Sequence, residues 1–353
     1  MNKFDLSFYR NKTVLVTGHT GFKGSWLCKT LIMGGANVIG YSLKPENKNN
    51  LFSCLQLDKQ MISIIGDIRN FNKLNNVFDV YHPEIVFHLA AQPIVRESYI
   101  RPVYTYDVNV MGTVNICECV RTHKCVKSFV NVTTDKVYEN NDLPNHPFSE
   151  NEKLDGYDPY SNSKSCSELV THSYRQSFFK ELRIPVSTAR AGNVIGGGDF
   201  AKDRIIPDAV KSLKNGEELI IRNPDSIRPY QFVLEPLLCY LLLAREQYFN
   251  YTICGAYNIG PDSCDISTTK HIIELFASHF GGKLKYRIRS DKGPHEATYL
   301  LLSNTKMKKT FCWLPKTNLT DAVKFTAEWY DVWVQGKDVN AITEKQIGCF
   351  FDI

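Results

Sequence analysis

From Thr13 onward the first half of the chain repeats one pattern, a short unbroken apolar run followed by a segment long enough for a helix. The runs are Thr13–Thr17, Asn37–Tyr41, Met61–Ile65, Ile85–Leu89, Ser128–Val132 and Pro185–Ala189. Between them, Phe71–Tyr81, Val108–His123 and Ser161–Phe179 carry apolar residues at helical spacing. A strand apolar along its whole length cannot turn one face to water, and a helix-length connection returns the chain parallel to the strand it left. The pattern therefore predicts an α/β protein with a doubly wound parallel sheet covered on both faces.

After Ala191 the rhythm changes. Gly196-Gly197-Gly198 and several Pro-containing loops separate shorter elements, and Asp321–Gln335 reads as a late amphipathic helix with two tryptophans and Asp321 as its cap. The expected division is residues 1–190 as a dinucleotide-binding domain and 191–353 mainly as a smaller substrate-binding region, with some of the chain returning to the sheet. Lys44–Asn50 reads as a polar loop.

Composition narrows the partners. The net charge of +5 comes without a dense Lys/Arg block or basic arm, which argues against nucleic acid. The N-terminus is polar, and Thr13–Thr17 is far too short for a signal or membrane segment. Leu234–Ala244 contains Glu235 and Pro236 and stops at Arg245, so a buried helix is expected rather than a membrane span. Eleven scattered cysteines, an odd number with no CxxC pair, suggest reduced thiols in a cytoplasmic protein, mostly filling the core. The histidines lack HxxxH or HExxH spacing, and no metal site is expected.

Gly18-His19-Thr20-Gly21-Phe22-Lys23-Gly24 follows the first strand and opens a helix. Glycines there permit a tight turn, close backbone approach to a pyrophosphate, and close helix–strand packing, while the helix N-terminus favours the anion. The spacing is GxxGxxG, and its place directly after the first strand makes it a dinucleotide site in a Rossmann-like fold. The end of the second strand, Tyr41-Ser42-Leu43-Lys44, lacks the usual ribose-binding carboxylate, and Lys44 would suit a 2′-phosphate, so this rule leaves NAD against NADP open. Asp67 is a candidate for the adenine amino group and equally a helix N-cap.

Tyr160-Ser161-Asn162-Ser163-Lys164 opens a helical segment, so Tyr160 and Lys164 project from one face. An ammonium beside a phenol favours the phenolate and also reaches a ribose hydroxyl. Thr134, where the fifth strand ends, can bond the substrate oxygen that Tyr160 deprotonates. Asp135 and Lys136 exceed what oxidation requires: they read either as a solvated turn or as a second proton-transfer pair. Once a sugar carbinol is a ketone, the neighbouring C–H is acidic, and a carboxylic acid can protonate the hydroxyl on the next carbon so that water leaves.

The glycine loop, Phe87-His88-Leu89-Ala90-Ala91-Gln92, Thr134-Asp135-Lys136 and Tyr160-xxx-Lys164 resemble the extended short-chain dehydrogenase/reductase superfamily. Within it, Val16–Leu27, Thr188–Asp199, and Ile221–Pro224 through Ile227–Gln231 resemble the CDP-glucose 4,6-dehydratase family, over roughly residues 8 to 335. The resemblance implies tightly held NAD and a redox-neutral cycle. C4 is oxidised with Tyr160 as base, the C5 proton and the C6 hydroxyl leave as water, and hydride returns to C6. It implies Asp135 as the acid toward C6 and Lys136 as the C5 base, where related dTDP-glucose dehydratases carry glutamate. It places Ile68, Leu89, Ala90, Ala91 and Gln92 with the glycine loop at the cofactor, along with Tyr160 and Lys164. It puts Asn193, Arg204, Arg222 and Arg228 at a nucleotide-diphosphate sugar, with Leu219–Arg222 near the base, and implies a homodimer or homotetramer. Tyr230 stands where the family often has tryptophan. The rival readings are a nucleotide-sugar 4-epimerase, a 4,6-dehydratase for another nucleotide sugar, and a regulatory module that binds NAD without turnover. An epimerase has no need of Asp135 and Lys136, and a regulatory module has no need of Tyr160 and Lys164.

Overall fold

The six expected strands all form and lie in one parallel sheet. In the computed structural model, which describes residues 4–45, 49–289 and 297–353, they are β1 (Thr13–Thr17), β2 (Asn37–Ser42), β3 (Ile62–Ile65), β4 (Ile85–His88), β5 (Ser128–Val132) and β6 (Val186–Ala191). A seventh strand, β7 (Ala256–Ile259), comes from the second half of the chain and pairs parallel to β6, giving the order β7-β6-β5-β4-β1-β2-β3. The polar loop expected at 44–50 is described only at its two ends, because residues 46–48 lie outside the described residues.

Alternation within strands distributes side chains to two cores. Val14 and Val16 enter the larger one, with Trp26 of α1 (Phe22–Met33). Leu15, between them, enters the smaller, with Phe78 of α2 (Phe71–Tyr81) and Ile116 and Val120 of α3 (Gly112–Thr122). Also covering the sheet is α4 (Pro159–Tyr174), while α5 (Ile205–Asn215) belongs to the region beyond β6. Burial around the whole circumference of α6 (Leu234–Phe249) makes it the buried helix expected there. Its Gln247 donates to Phe129 O (3.0 Å) and accepts from Ser187 (2.6 Å), so it docks under β5 and β6. The rest of the second half adds α7 (Thr269–His279), α8 (Leu319–Val334) and α9 (Val339–Phe351), and several two-stranded ribbons.

Three local expectations are corrected. The cap of α8 is Asn318, whose side chain accepts from Asp321 N, so Asp321 sits inside the first turn. The helices expected at 108–123 and 161–179 are each interrupted by a π-turn, at Asp107–Met111 and Arg175–Phe179. In the first of these, Asn109 accepts from Gln92 N (2.8 Å) and donates to Gln92 O (3.1 Å), anchoring the loop that follows β4. All eleven cysteines are free, but only Cys28, Cys117, Cys119 and Cys239 are buried, and Cys264, Cys312 and Cys349 are exposed. No helix among the described residues is long and apolar enough to cross a membrane.

The functional segments all emerge at the carboxyl ends of strands: the glycine loop after β1, Leu89–Gln92 after β4, Thr133–Lys136 after β5 and Gly192–Asn193 after β6. Strand order reverses at β1, between β4 and β2, which opens a crevice at that edge of the sheet.

Candidate active site

Two adjoining clefts occupy this crevice, of about 360 Å³ and about 300 Å³. Phe22, Lys23, Pro93, Asp199 and Arg204 line both, so what fills one cleft meets what fills the other.

The larger cleft is lined by Gly18, Thr20, Gly21, Phe22, Lys23, Gly24, Asp67, Ile68, Leu89, Ala90 and Ala91. Its floor depends on two glycines. Gly18 has φ +75°, and a Cβ there would lie 2.8 Å from Ala90 N. A Cβ on Gly24 would lie 2.1 Å from Gly18 O. This cradle, shaped by close backbone approach before the N-terminus of α1, fits a dinucleotide pyrophosphate. Two of the residues expected there do other work. Gln92 is buried outside the cleft wall, donating to Thr105 (2.9 Å) and accepting from Ile94 N (2.6 Å), and so shapes the loop. Asp67 lines the cleft, but its carboxylate accepts from Arg69 Nε and Nη2, the latter at 2.7 Å; the N-cap of α2 is Asn70.

The smaller cleft brings Thr134, Asp135, Lys136 and Tyr160 together with Asn193, Arg204, Arg222 and Arg228. Pro159 at the first position of α4 and the Asp158 cap, accepting from Tyr160 N and Ser161 N at 3.0 Å each, fix the turn that presents Tyr160. Thr134 caps a short 3-10 turn, Asp135–Val137, and donates to Asp135 Oδ1 at 2.9 Å. The other oxygen, Asp135 Oδ2, is buried with no hydrogen-bond partner among the described residues, and burial raises this carboxyl above its usual range against the pull of Lys136 and Arg228. Lys136 beside it is half-buried on the same wall.

Tyr160 and Lys164 differ from expectation. Burial pushes the Tyr160 phenol up to about 12, while the Thr134 hydroxyl and the Arg204 guanidinium pull it the other way. Lys164 is buried behind the cleft wall and donates to Val132 O at 3.2 Å. Burial, aided by Lys23, lowers its ammonium to about 7, and Glu168 opposes that. In the protein alone, burial is the largest influence on both groups.

The arginines are engaged. Arg204 pairs with Asp199 (2.8 Å) and Arg222 with Asp203 (3.1 Å). Arg228 is buried and donates to the carbonyls of Ile227 (2.9 Å), Thr298 (3.2 Å) and Ala297 (2.5 Å), so it holds the backbone at the cleft. Asn193 O accepts from Gln231 N at 2.9 Å, which fixes that wall. From Leu219–Arg222, Ile220 and Arg222 reach the cleft, and Tyr230 is buried at its edge. Sequence reasoning missed Arg96, which follows the Leu89–Gln92 motif by four residues, and also Asp199 and Asp203. All three line the cleft. A conspicuous signal existed for Arg96 alone, as a basic residue just past a strand-end loop.

A family model described as GDP-mannose 4,6 dehydratase matches residues 15–326. The chain belongs to the GDP-mannose 4,6-dehydratase family. Among curated members of similar sequence is a CDP-glucose 4,6-dehydratase of Salmonella typhimurium, 43% identical over 349 residues, or 97% of each chain. A dTDP-D-glucose 4,6-dehydratase of Dictyostelium discoideum is 30% identical over 290 residues, covering 78% of this chain and 64% of the relative. The fold is shared with a solved epimerase of Methanothermobacter thermautotrophicus (TM-score 0.80, 23% identity, 94% of this chain and 96% of that one). It is also shared with a dTDP-glucose 4,6-dehydratase of Bacillus anthracis in complex with NAD (TM-score 0.76, 22% identity, 91% and 96%).

Proposed function

We propose that the protein is an NAD-dependent 4,6-dehydratase that converts CDP-glucose to CDP-4-keto-6-deoxyglucose. The observation that carries this reading is the buried, unpartnered Oδ2 of Asp135 beside Lys136, in the same cleft as Tyr160. Oxidation of a carbinol has no use for a second acid/base pair, and removal of water from the resulting ketone needs one. The choice of CDP-glucose rests on the Salmonella typhimurium relative and its 43% identity over nearly the whole chain.

The glycine cradle, with Thr20 and Lys23, would hold NAD, which when bound supplies the acceptor for the C4 hydride and its donor back to C6. Tyr160 takes the C4 hydroxyl proton, with Thr134 orienting that oxygen. Its phenol, high in the protein alone, has to come down as a positive charge arrives beside it. Lys136, as its free amine, removes the C5 proton, whose acidity the C4 ketone provides, and Asp135 delivers its proton to the C6 oxygen, so water departs; as hydride reaches C6, Lys136 returns the proton to C5. Arg204, Arg222 and Arg96 face the sugar diphosphate, to which guanidinium forks are suited. In this reading residues 1–190 hold the cofactor and 191–353 mainly hold the nucleotide sugar.

The same reading takes in a cytoplasmic location, with free thiols at every cysteine, and a homodimer or homotetramer, supported by exposed Met111 and Leu169 on adjoining helical segments. Mass spectrometry of the purified protein with a panel of nucleotide sugars tests the function. Loss of one water from CDP-glucose, without net reduction of added NAD, is expected. An unchanged mass with altered chromatographic retention would make it an epimerase, and water lost only from another nucleotide sugar would move the base specificity.

A further inference from the structure

Behind the cleft wall, and outside the chemistry assigned above, lies an ion pair with almost no exposure. Arg190 of β6 donates to Glu168 of α4 at 2.9 Å, with the two side chains 4% and 3% exposed. Glu168 lies one helical turn beyond Lys164 and two beyond Tyr160. Its other contacts are Thr133, donating from the end of β5 at 2.5 Å, and Thr188, donating from β6 at 2.7 Å. Arg190 also donates to the Tyr138 hydroxyl (2.8 Å) and to Glu150 O (3.0 Å), and its guanidinium lies 5.1 Å from the Tyr138 ring centroid. Tyr138 in turn donates to Asn258 of β7 at 2.6 Å.

The sequence positions give this arrangement its meaning. Thr133 immediately precedes Thr134-Asp135-Lys136, and Tyr138 follows two residues after them. The first is tied to the carboxylate and the second to the guanidinium, so both ends of the reactive segment are pinned to one buried pair. One member of that pair sits on the helix that presents Tyr160. Such a pair adds little stability over a well-packed apolar replacement, because desolvating two charges offsets most of their attraction. What an apolar replacement cannot reproduce is the fixed set of directed bonds, three of them to the side chains of Thr133, Thr188 and Tyr138.

We propose that Glu168 and Arg190 are positioning residues: they hold Thr134, Asp135 and Lys136 in register with Tyr160, so that oxidation at C4 is followed by elimination at the same bound sugar. This rests on the dehydratase reading for its consequence, but the register itself can be measured without activity. The double variant Glu168→Leu/Arg190→Met removes both charges together and leaves neither buried alone. Loss of register by about 1 Å costs on the order of a hundredfold in rate. The expected result is therefore a kcat about a hundredfold lower per folded site, with KM for the nucleotide sugar within about threefold of the parent, and reduced nicotinamide accumulating on the protein because elimination lags oxidation. Amide hydrogen exchange, followed by mass spectrometry, should rise in the peptide spanning 133–138 and not in β1 or β4. The reasoning is overturned if that peptide keeps its parental protection, or if kcat per folded site is unchanged.

Should the double variant not fold, Thr133→Val with Tyr138→Phe cuts the two tethers and leaves the ion pair in place. The same loss of protection and of kcat is expected, and unchanged values again overturn it. A parent protein inactive on every nucleotide sugar would refute the dehydratase function, while the exchange experiment would still decide the clamp.

Discussion

Replacing Asp135 with asparagine separates the two halves of the proposed reaction. The side chain is nearly isosteric, and the bond from Thr134 to Oδ1 can be kept, but the amide has no proton to give at the position of the unpartnered Oδ2. Positioned general acids contribute roughly 10²–10⁴-fold, so turnover should fall by that factor, equivalent to about 3–5 kcal/mol in the barrier. Oxidation at C4 does not use this proton. In rapid mixing with CDP-glucose, the near-ultraviolet absorbance of reduced nicotinamide should therefore rise to a stable plateau in the variant and only transiently in the parent. Stability should move the opposite way. Burial raises the folded-state pKa of Asp135 above its unfolded value. Its favourable contribution is thus complete below the unfolded pKa and is lost as pH rises through the folded one, leaving a cost near neutrality that the uncharged amide avoids. The thermal midpoint at about pH 7 should be equal to or above that of the parent. A variant within about threefold of parental turnover, or one with no plateau, would show that Asp135 is not the acid.

Other substitutions probe the remaining roles. Tyr160→Phe should abolish oxidation, so that no reduced nicotinamide forms on mixing and no water is lost, while far-ultraviolet circular dichroism stays parental. Lys136→Ala should permit C4 oxidation and stall elimination; near-normal turnover would move the C5 base elsewhere. Gly18→Ala forces a Cβ to within 2.8 Å of Ala90 N at φ +75°, and calorimetric titration should show NAD binding lost or weakened at least about tenfold. Lys164→Met tests the buried ammonium. Its folded pKa of about 7 lies below the ordinary lysine value of 10.5, so its contribution is full above the unfolded pKa and disappears as pH falls through the folded one. Thermal midpoints measured from about pH 6 to about pH 9 should rise with pH more steeply in the parent than in the variant.

The sequence by itself determined six of the seven strands of the sheet and the glycine turn after β1, and it nominated the reactive set. Unbroken apolar strands, GxxGxxG after β1 and residues four apart at a helix start are local patterns, and each needs only its own segment to be read. The position of Asn318 as the cap of α8 and the π-turns in two helices were harder to see, because several polar residues compete for a cap and a π-turn changes spacing by one residue. Which charges would face one another was decided by the tertiary structure alone. Lys164 turns to Val132 O, Arg228 to three carbonyls, and Gln92 away from the cleft, because each buried donor must find an acceptor wherever the fold supplies one. Glu168 and Arg190 are 22 residues apart and carry no motif of their own. They become a pair because β5, β6 and α4 converge behind the reactive turn, and burial makes each charge require the other. Spacing along a chain identifies groups that can react; only packing sets their distance, their solvation and therefore their protons.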